Sequence, residues 1–229
     1  MSINKKYNLK KFIYIICICV IQFTIIPNIF SQERGHSNTL AKGQFASGLK
    51  LGISTSQIYG DNFGGYNKVG ASGGAFVTTR LNEKLKFQLE LNYSNRGSRD
   101  PAKPNKGKFD SYKISTHYLD VPLLLKFWVW KFEFEAGLNN GIFLGHTELD
   151  EIGRIPKDQK QFSFTRYELA ANAGINIELK NNWFFNTRFH YSILPVSRGG
   201  LTFIQGYGLA GGLFNNSILF SINRIFNQK

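Results

Sequence analysis

The stretch LKFQLELNYS, from Leu85 to Ser94, alternates apolar and polar residues without an exception. Successive side chains of a β-strand point to opposite faces, so this pattern predicts a strand with one apolar and one polar face. A helix would scatter the same residues around its axis. The stretch alone leaves open which face points inward, because a soluble barrel buries its apolar face and a membrane barrel turns that face to lipid.

The N-terminal segment has the pattern of a secretory leader. Four lysines and no acidic residue precede an apolar run from Phe12 to Ile26, and Pro27 and the small residue Ser31 follow that run. This order predicts a signal peptide over residues 1–31 that is cleaved on export. A retained transmembrane anchor is the alternative, but a spanning helix needs about 20 apolar residues and this run has 15.

Both cysteines, Cys17 and Cys19, lie inside this leader. The mature chain therefore has no disulfide, thiolate metal site or cysteine nucleophile. Loss of the four leader lysines lowers the formal net charge from +13 to +9. The remaining basic residues are spread over loops and strand faces, and an exported protein does not meet nucleic acid, so we predict no nucleic-acid partner.

The mature chain predicts one domain. Residues 32–44 are polar and unpatterned, which indicates a flexible periplasmic lead-in, and about eight alternating segments follow in a barrel domain over residues 45–229. Long connections are expected near residues 58–67, 95–112, 146–161 and 195–207, and short ones near 82–83, 129–130 and 180–182. Four long loops at one rim and three tight turns at the other are typical of bacterial outer-membrane barrels. We also expect irregular pairing at Pro122, which cannot donate to a ladder, and an interruption near Asn215–Asn216.

Two sets of side chains favour lipid as the outer solvent. Charges of both signs on the polar faces can pair inside a narrow lumen, and aromatic residues near strand ends suit the two membrane interfaces. The predicted lumen network comprises Lys50, Lys86, Glu90, Asp120, Lys126, Lys131, Glu133, Glu135, Glu178 and Arg188. The predicted aromatic girdle comprises Tyr93, Trp128, Trp130, Trp183 and Phe226.

These patterns predict an all-β fold, an eight-stranded antiparallel up-and-down transmembrane β-barrel in the outer membrane of a Gram-negative bacterium. An eight-stranded interior is filled by side chains, so we expect a non-enzymatic accessory or interaction protein with no cofactor and no metal. Its expected partners are outer-membrane lipid, lipopolysaccharide and other envelope proteins. A basic loop is the candidate contact for lipopolysaccharide phosphates, with Arg96, Arg99, Lys103, Lys106 and Lys108. A soluble exported ligand-binding barrel stays open as an alternative, since export and alternation fit it too.

The stretch from His117 to Phe127, HYLDVPLLLKF, resembles the Tyr-Leu-Glu-Ile-Pro-Leu-Leu-Leu-Lys motif of the PorT-like outer-membrane β-barrel family of Bacteroidetes. Residues 48–52 and 216–226 resemble the first and closing strands of that family more weakly. The resemblance implies an eight-stranded barrel in a Gram-negative envelope and, because the name-giving member serves type IX secretion, a secretion-related role. The seventh strand departs from the family, since it ends in HYSILP, from His190 to Pro195.

That departure raises an enzymatic alternative. Small outer-membrane lipid A deacylases carry a His-x-Ser pair on a strand, with an acidic residue further along the chain that orients the histidine. His190 and Ser192 are similar, but no acidic residue follows Glu178, and the alternation turns both side chains into the lumen, away from lipid. A lipid A-modifying hydrolase is therefore an alternative with His190 and Ser192 as its catalytic residues.

Overall fold

Eight antiparallel strands follow one another around a closed ring in the structure, a computed structural model that describes residues 40, 42–61, 63–179, 182–197 and 212–226. Each strand pairs with the next, and the last pairs with the first. The strands are β1 (Phe45–Tyr59), β2 (Lys68–Arg80), β3 (Leu85–Asp100), β4 (Tyr112–Val129), β5 (Phe132–Leu149), β6 (Tyr167–Glu178), β7 (Trp183–Ser192) and β8 (Phe214–Phe226). This confirms the predicted eight-stranded up-and-down barrel. In the described part of the chain, no helix has the length and apolar character needed to cross a membrane.

The two faces of β3 show which side of the barrel meets lipid. Leu89, Leu91 and Tyr93 are exposed on the outside of the ring, whereas Gln88 and Glu90 are buried in its interior. The other strands repeat this arrangement, with apolar side chains outside and polar ones inside. A soluble barrel requires the reverse, so the alternative of a soluble ligand-binding barrel is wrong.

β3, β4 and β5 are the three longest strands and extend well beyond a membrane crossing. β3, β4 and β5 contain 16, 18 and 18 residues, whereas about 9–11 residues cross a bilayer. The loop predicted from residue 95 is therefore wrong in its first part, because Asn95–Asp100 continue β3 and pair with β4 as far as Asp100↔Tyr112. A glycine such as Gly97, which has a φ of 139°, favours a turn in a sequence-based prediction. Here Gly97 pairs with Ser115 on β4, so the strand continues.

Pairing is irregular at one of the two expected places. Between β3 and β4 the ladder passes from Leu89↔Leu123 to Asn92↔Asp120, so Pro122 lies at a gap, as expected of a residue without an N–H donor. The interruption predicted near Asn215–Asn216 is wrong, because both residues pair regularly with β1. Asn215 fits into the strand because its side chain points into the lumen, where Nδ2 donates a hydrogen bond to Glu168 at 3.0 Å.

An apolar cluster closes the lumen at each rim. The periplasmic plug consists of Leu40, Ala46, Phe76, Phe184 and Ile225, with Trp128 packed against it. The outer plug consists of Ile58, Ile114, Phe162, Val196 and Leu213. Both clusters join residues from strands and from the connections next to them.

The periplasmic plug corrects the predicted lead-in at its C-terminal end. Leu40 is buried under the barrel, where its carbonyl accepts a hydrogen bond from Arg80 Nη1 at 2.9 Å. The Gly43 N–H donates to the Arg80 carbonyl, also at 2.9 Å. The end of the predicted lead-in is therefore not flexible around Leu40, because this side chain packs in the periplasmic plug. The predicted signal peptide, the rest of the lead-in and most of the predicted loop 195–207 lie outside the described residues.

Candidate functional site

The lower half of the lumen is organised around Arg188 of β7, which reaches across the barrel. Its guanidinium donates to both carboxylate oxygens of Glu90 at 2.7 and 2.8 Å and, through Nε, to Glu135 at 2.5 Å. All three side chains are buried. A two-point Arg–carboxylate contact fixes both position and orientation, so Arg188 ties β7 to β3 and β5 across the interior.

Lysines and amides complete this lower layer. Lys126 pairs with Glu133 at 3.2 Å and with Glu135 at 3.4 Å, Lys86 pairs with Glu133 at 3.0 Å, and Lys50 lies 3.5 Å from Glu90. Side-chain amides donate to the same carboxylates from Gln88, Asn92, Asn176 and Asn186. The lower layer thus supplies each buried carboxylate with several donors, as buried charges require.

Arg96 of β3 organises an upper layer, nearer the outer rim. Its Nη2 contacts the two oxygens of Asp120 at 2.6 and 2.8 Å, and its Nη1 lies 3.1 Å from Glu168 Oε2. The guanidinium carbon also lies 4.6 Å from the centroid of the Tyr118 ring. Asp120 accepts further hydrogen bonds from Ser94 at 2.5 Å and from Asn139 at 2.9 Å.

The upper layer also contains the candidate catalytic pair. Ser192 Oγ donates to Glu168 Oε1, and His190 Nε2 lies 3.3 Å from the same oxygen. His190 Nδ1 faces Asn172 Oδ1 at 2.9 Å. Glu168 thus supplies the acid that the sequence seemed to lack, but it stands between the serine and the histidine. In a serine hydrolase the histidine contacts the serine, so this arrangement does not activate Ser192 as a nucleophile.

A small polar cavity of about 40 Å³ separates the two layers. Its lining includes Ser54, Ser72, Asn92, Arg96, Asn139 and Ser217. Three buried atoms of this lining, Asn92 Oδ1, Asn139 Oδ1 and Arg96 Nε, have no hydrogen-bond partner among the residues that the structure describes. A polar cavity of this size has room for a few water molecules, which would satisfy those atoms.

The two layers balance in charge only when they are taken together, because the lower layer has one extra cation and the upper layer one extra carboxylate. In the described part of the lumen, ion pairs join five cations to five carboxylates, namely Lys50, Lys86, Arg96, Lys126 and Arg188 with Glu90, Asp120, Glu133, Glu135 and Glu168. Inward glycines provide the space for them: a Cβ on Gly174 would lie 2.8 Å from Glu135, and one on Gly141 would lie 3.0 Å from Asp120. Together with the two plugs, this leaves no open path through the described lumen.

Two residues of the predicted network do not join it. Lys131 is exposed in the two-residue turn between β4 and β5, and Glu178 is exposed at the end of β6, where the strand leaves the barrel. Sequence analysis missed Arg96 and Glu168 as lumen residues. Arg96 falls where β3 loses its apolar outer row and therefore resembled a loop residue. Glu168 had the right alternation, but nothing in the sequence indicated its partner.

Four of the five predicted girdle residues point outward. Trp130, Trp183 and Phe226 are exposed near the periplasmic rim, and Tyr93 is exposed in the outer half, where its hydroxyl lies 2.6 Å from His117 Nδ1. Trp128 does not belong to the girdle. It shares the inward parity of Lys126, and its ring packs against the periplasmic plug with Lys86 Nζ 5.2 Å from its centroid.

At the outer rim, Glu148 holds the connection between β5 and β6 against the barrel. Its buried carboxylate accepts hydrogen bonds from the backbone N–H groups of Gln161 at 2.9 Å and Phe162 at 3.2 Å, and from the Tyr112 hydroxyl. His146 Nε2 lies 3.0 Å from the same carboxylate. We call this group the Glu148 clamp. Nearby, burial raises the pKa of Asp61, in the first outer loop, to about 6.

The closed ring, its apolar outer face and its charged interior define an integral outer-membrane β-barrel. The chain belongs to the family described as outer membrane protein beta-barrel domain, whose model matches residues 30–198. Outer-membrane localisation follows from that membership. No curated protein matches the chain significantly.

Several solved outer-membrane proteins resemble the chain. The attachment invasion locus protein Ail of Yersinia pestis is 13% identical, over 81% of this chain and 100% of that chain, with a TM-score of 0.43. Neisserial surface protein A is 10% identical, over 79% of this chain and 96% of that chain, with a TM-score of 0.40. OprG from Pseudomonas aeruginosa is 12% identical, over 82% and 98%, with a TM-score of 0.40.

Proposed function

We propose that this barrel is a non-enzymatic accessory or interaction protein of the cell envelope, exported by a signal peptide over residues 1–31. The barrel serves as a closed scaffold, and its outer loops make the contacts with partners. The observation that carries this proposal is the filled lumen, in which Arg188 bridges Glu90 and Glu135 between two apolar plugs. A general pore needs an open aqueous axis, which these side chains occupy.

Electrical recording tests the closed scaffold. The purified mature protein, inserted into a planar lipid bilayer, is expected to show no steady conductance above that of the bare bilayer. A gel of the same preparation, on which the folded protein migrates faster before boiling than after it, is the control. It ensures that an absence of conductance comes from a closed barrel and not from unfolded protein. A steady open channel from folded protein would contradict the proposal.

The outer contact surface that we propose is the basic outer end of β3 together with the connection that follows it, which would bind lipopolysaccharide phosphates. Arg99, Lys103 and Lys106 are exposed there, and the neighbouring Phe109 is 72% exposed. Lys108 is tied to Asp100 by an ion pair, and Arg96 belongs to the lumen, so neither contributes fully. Replacing Arg99, Lys103 and Lys106 by Gln should weaken retention on immobilised lipopolysaccharide. Replacing Lys84 and Lys131, exposed at the opposite rim, serves as the control.

The finer assignment to the PorT-like family, and with it a role in type IX secretion, rests on the motif from His117 to Phe127. In the structure this motif is the membrane-crossing part of β4, with Pro122 at the gap in its ladder. Deletion of the gene in its natural host tests the role. Loss of secreted type IX cargo, restored by the intact gene, is the expected result, and unchanged secretion would contradict it.

The geometry does not favour a lipid A hydrolase. Ser192 is buried in the lumen and bonded to Glu168, and the exposed outer face of β7 carries Trp183 and Phe189 instead. Replacing Ser192 by Ala should leave the mass spectrum of lipid A from expressing cells unchanged. A mass change that depends on Ser192 would restore the enzymatic alternative.

A further inference from the structure

A single arginine interrupts the apolar outer row of β8 near the periplasmic rim. Phe220, Ile222 and Phe226 of this row face outward, and Arg224 lies between them. Its partners across the ladder are Trp183 on β7 and Leu49 on β1, both exposed on the same outer face. A lipid-facing charge is destabilising at the bilayer midplane and tolerated near the interface, so the guanidinium belongs at headgroup depth.

Two aromatic rings hold this guanidinium. Its central carbon lies 5.1 Å from the centroid of the Trp183 ring and 5.8 Å from that of the Phe226 ring. Cation–π contacts of this length orient the planar group and leave its N–H donors directed away from the rings. The site therefore combines a fixed cation with the interfacial aromatic residues that anchor barrels in membranes.

Nothing in the described part of the chain neutralises this charge. Glu83 and Glu178 are the described acidic residues exposed at the periplasmic rim, and neither forms an ion pair with Arg224. By contrast, Lys50, Lys86, Arg96, Lys126 and Arg188 in the lumen each have a carboxylate oxygen within 3.5 Å. A membrane-facing guanidinium without an internal counterion is open to an anion supplied by the lipid.

We infer that Arg224, Trp183 and Phe226 form a binding site for the phosphate of an anionic phospholipid in the periplasmic leaflet. The guanidinium presents paired N–H donors to two phosphate oxygens. The Trp183 ring lies at the boundary between headgroup and acyl chains, and Phe220 and Ile222, which lie further from the periplasmic rim, contact the acyl chains. A net negative headgroup is preferred to a zwitterionic one because the site has one positive charge and no acid of its own.

Native mass spectrometry tests this site on the folded, full-length mature barrel. The protein is released from micelles that contain equal amounts of phosphatidylglycerol and phosphatidylcholine, and the ratio of singly bound anionic to zwitterionic lipid is measured. One surface cation is worth about fivefold in lipid affinity, so Arg224→Gln should lower this ratio about fivefold. Arg224→Lys keeps the charge but loses the planar contact with the rings, and should give an intermediate ratio.

Lys157→Gln is the matched control, because it removes the same charge from an exposed position on the β5–β6 connection at the opposite rim. Folding of each variant is checked by its shifted migration before boiling. An unchanged ratio in Arg224→Gln, or an equal loss in Lys157→Gln, would overturn the inference, the latter because attraction would then be diffuse. Displacement of the bound lipid by excess inorganic phosphate would show a free-phosphate site and would overturn it as well.

Discussion

At the residue scale, inward or outward parity decides the role of each charged side chain. Lys126 and Trp128 share one parity in β4 and both face the interior, although a tryptophan near a strand end suggests a girdle. Lys131 has a charge that suits the lumen, but it lies in a turn, where parity ends. The sequence therefore predicts lumen residues well where alternation is clear, as at Lys86 and Glu133, and poorly in turns and where the outer row loses its apolar residues, as at Arg96.

Arg188 should carry the largest single contribution to the lumen's stability. Replacing it by Leu leaves Glu90 and Glu135 buried with fewer counter-charges, which should lower the free energy of unfolding by about 3–5 kcal/mol. Lys131→Gln, at an exposed turn position, should change it by less than about 0.5 kcal/mol. Guanidinium unfolding in lipid vesicles, followed by tryptophan fluorescence, measures both. Similar effects of the two substitutions would contradict the assignment of Arg188 to a buried network.

The three tryptophans allow a direct check of which side each ring faces. Variants that keep a single tryptophan, with the others replaced by Phe, are refolded into vesicles with brominated acyl chains. Trp183 should be strongly quenched because it is exposed on the outer face, whereas Trp128 should be protected because its ring packs inside the periplasmic plug. Strong quenching of Trp128 would restore it to the girdle.

Asp61 should make stability depend on pH. Burial raises the pKa of its carboxyl from 3.8 to about 6, so the folded protein binds a proton more tightly than the unfolded chain. The charged carboxylate is then unfavourable above pH 6, and this cost disappears as pH falls through 6 towards 4. Asp61→Asn keeps the acceptor for the Phe63 N–H, at 2.8 Å in the native protein. The variant should be more stable than the wild type at pH 8 and equally stable at pH 4 in urea titrations. A constant difference across that range would contradict this.

At the element scale, the sequence pattern predicts only part of each long strand, and the rest is visible only in the strand pairing of the structure. Alternation identifies the part of β3 that faces lipid, because the bilayer demands apolar residues there. Beyond Ser94 the outer face loses its apolar residues while the inner face stays buried at Arg96 and Ser98, so alternation fades although the ladder continues to Asp100. The outer extensions of β3, β4 and β5 were therefore beyond prediction from sequence, and so was the Glu148 clamp that depends on them.

The Glu148 clamp should control the mobility of the β5–β6 connection. Glu148→Gln replaces a carboxylate by an amide whose single oxygen can accept from only one of the Gln161 and Phe162 N–H groups, which should weaken the local structure by about 1–3 kcal/mol. Limited trypsin digestion should then cut faster at Arg154, Lys157 or Lys160. Glu151→Gln, exposed on the same connection, is the control. Equal cleavage rates in the two variants would show that the clamp does not hold this segment.

At the scale of the whole molecule, the barrel has its ion pairs inside and its apolar side chains outside, which is the reverse of the arrangement in a soluble protein. The sequence predicts this much because three independent signals agree: alternation, the order of long and short connections, and aromatic residues at strand ends. Arg96 and Asp120 lie on the paired strands β3 and β4, whereas Glu168 lies on β6, which does not pair with either. Only the closed ring brings Glu168 to Arg96, so no local pattern reveals that contact.

Charge placed on the outer face should therefore be penalised according to depth. Leu91 lies near the middle of the membrane-crossing part of β3, whereas Leu81 lies at the periplasmic rim, and both side chains are exposed. Leu91→Arg should destabilise the folded barrel by about 2–4 kcal/mol and Leu81→Arg by about 0–1 kcal/mol, because the cost of a charge falls towards the interface. Denaturant titration in phospholipid vesicles measures the difference. In a barrel surrounded by water both arginines would be tolerated equally, since neither side chain would leave solvent, so equal stabilities would contradict lipid as the outer environment.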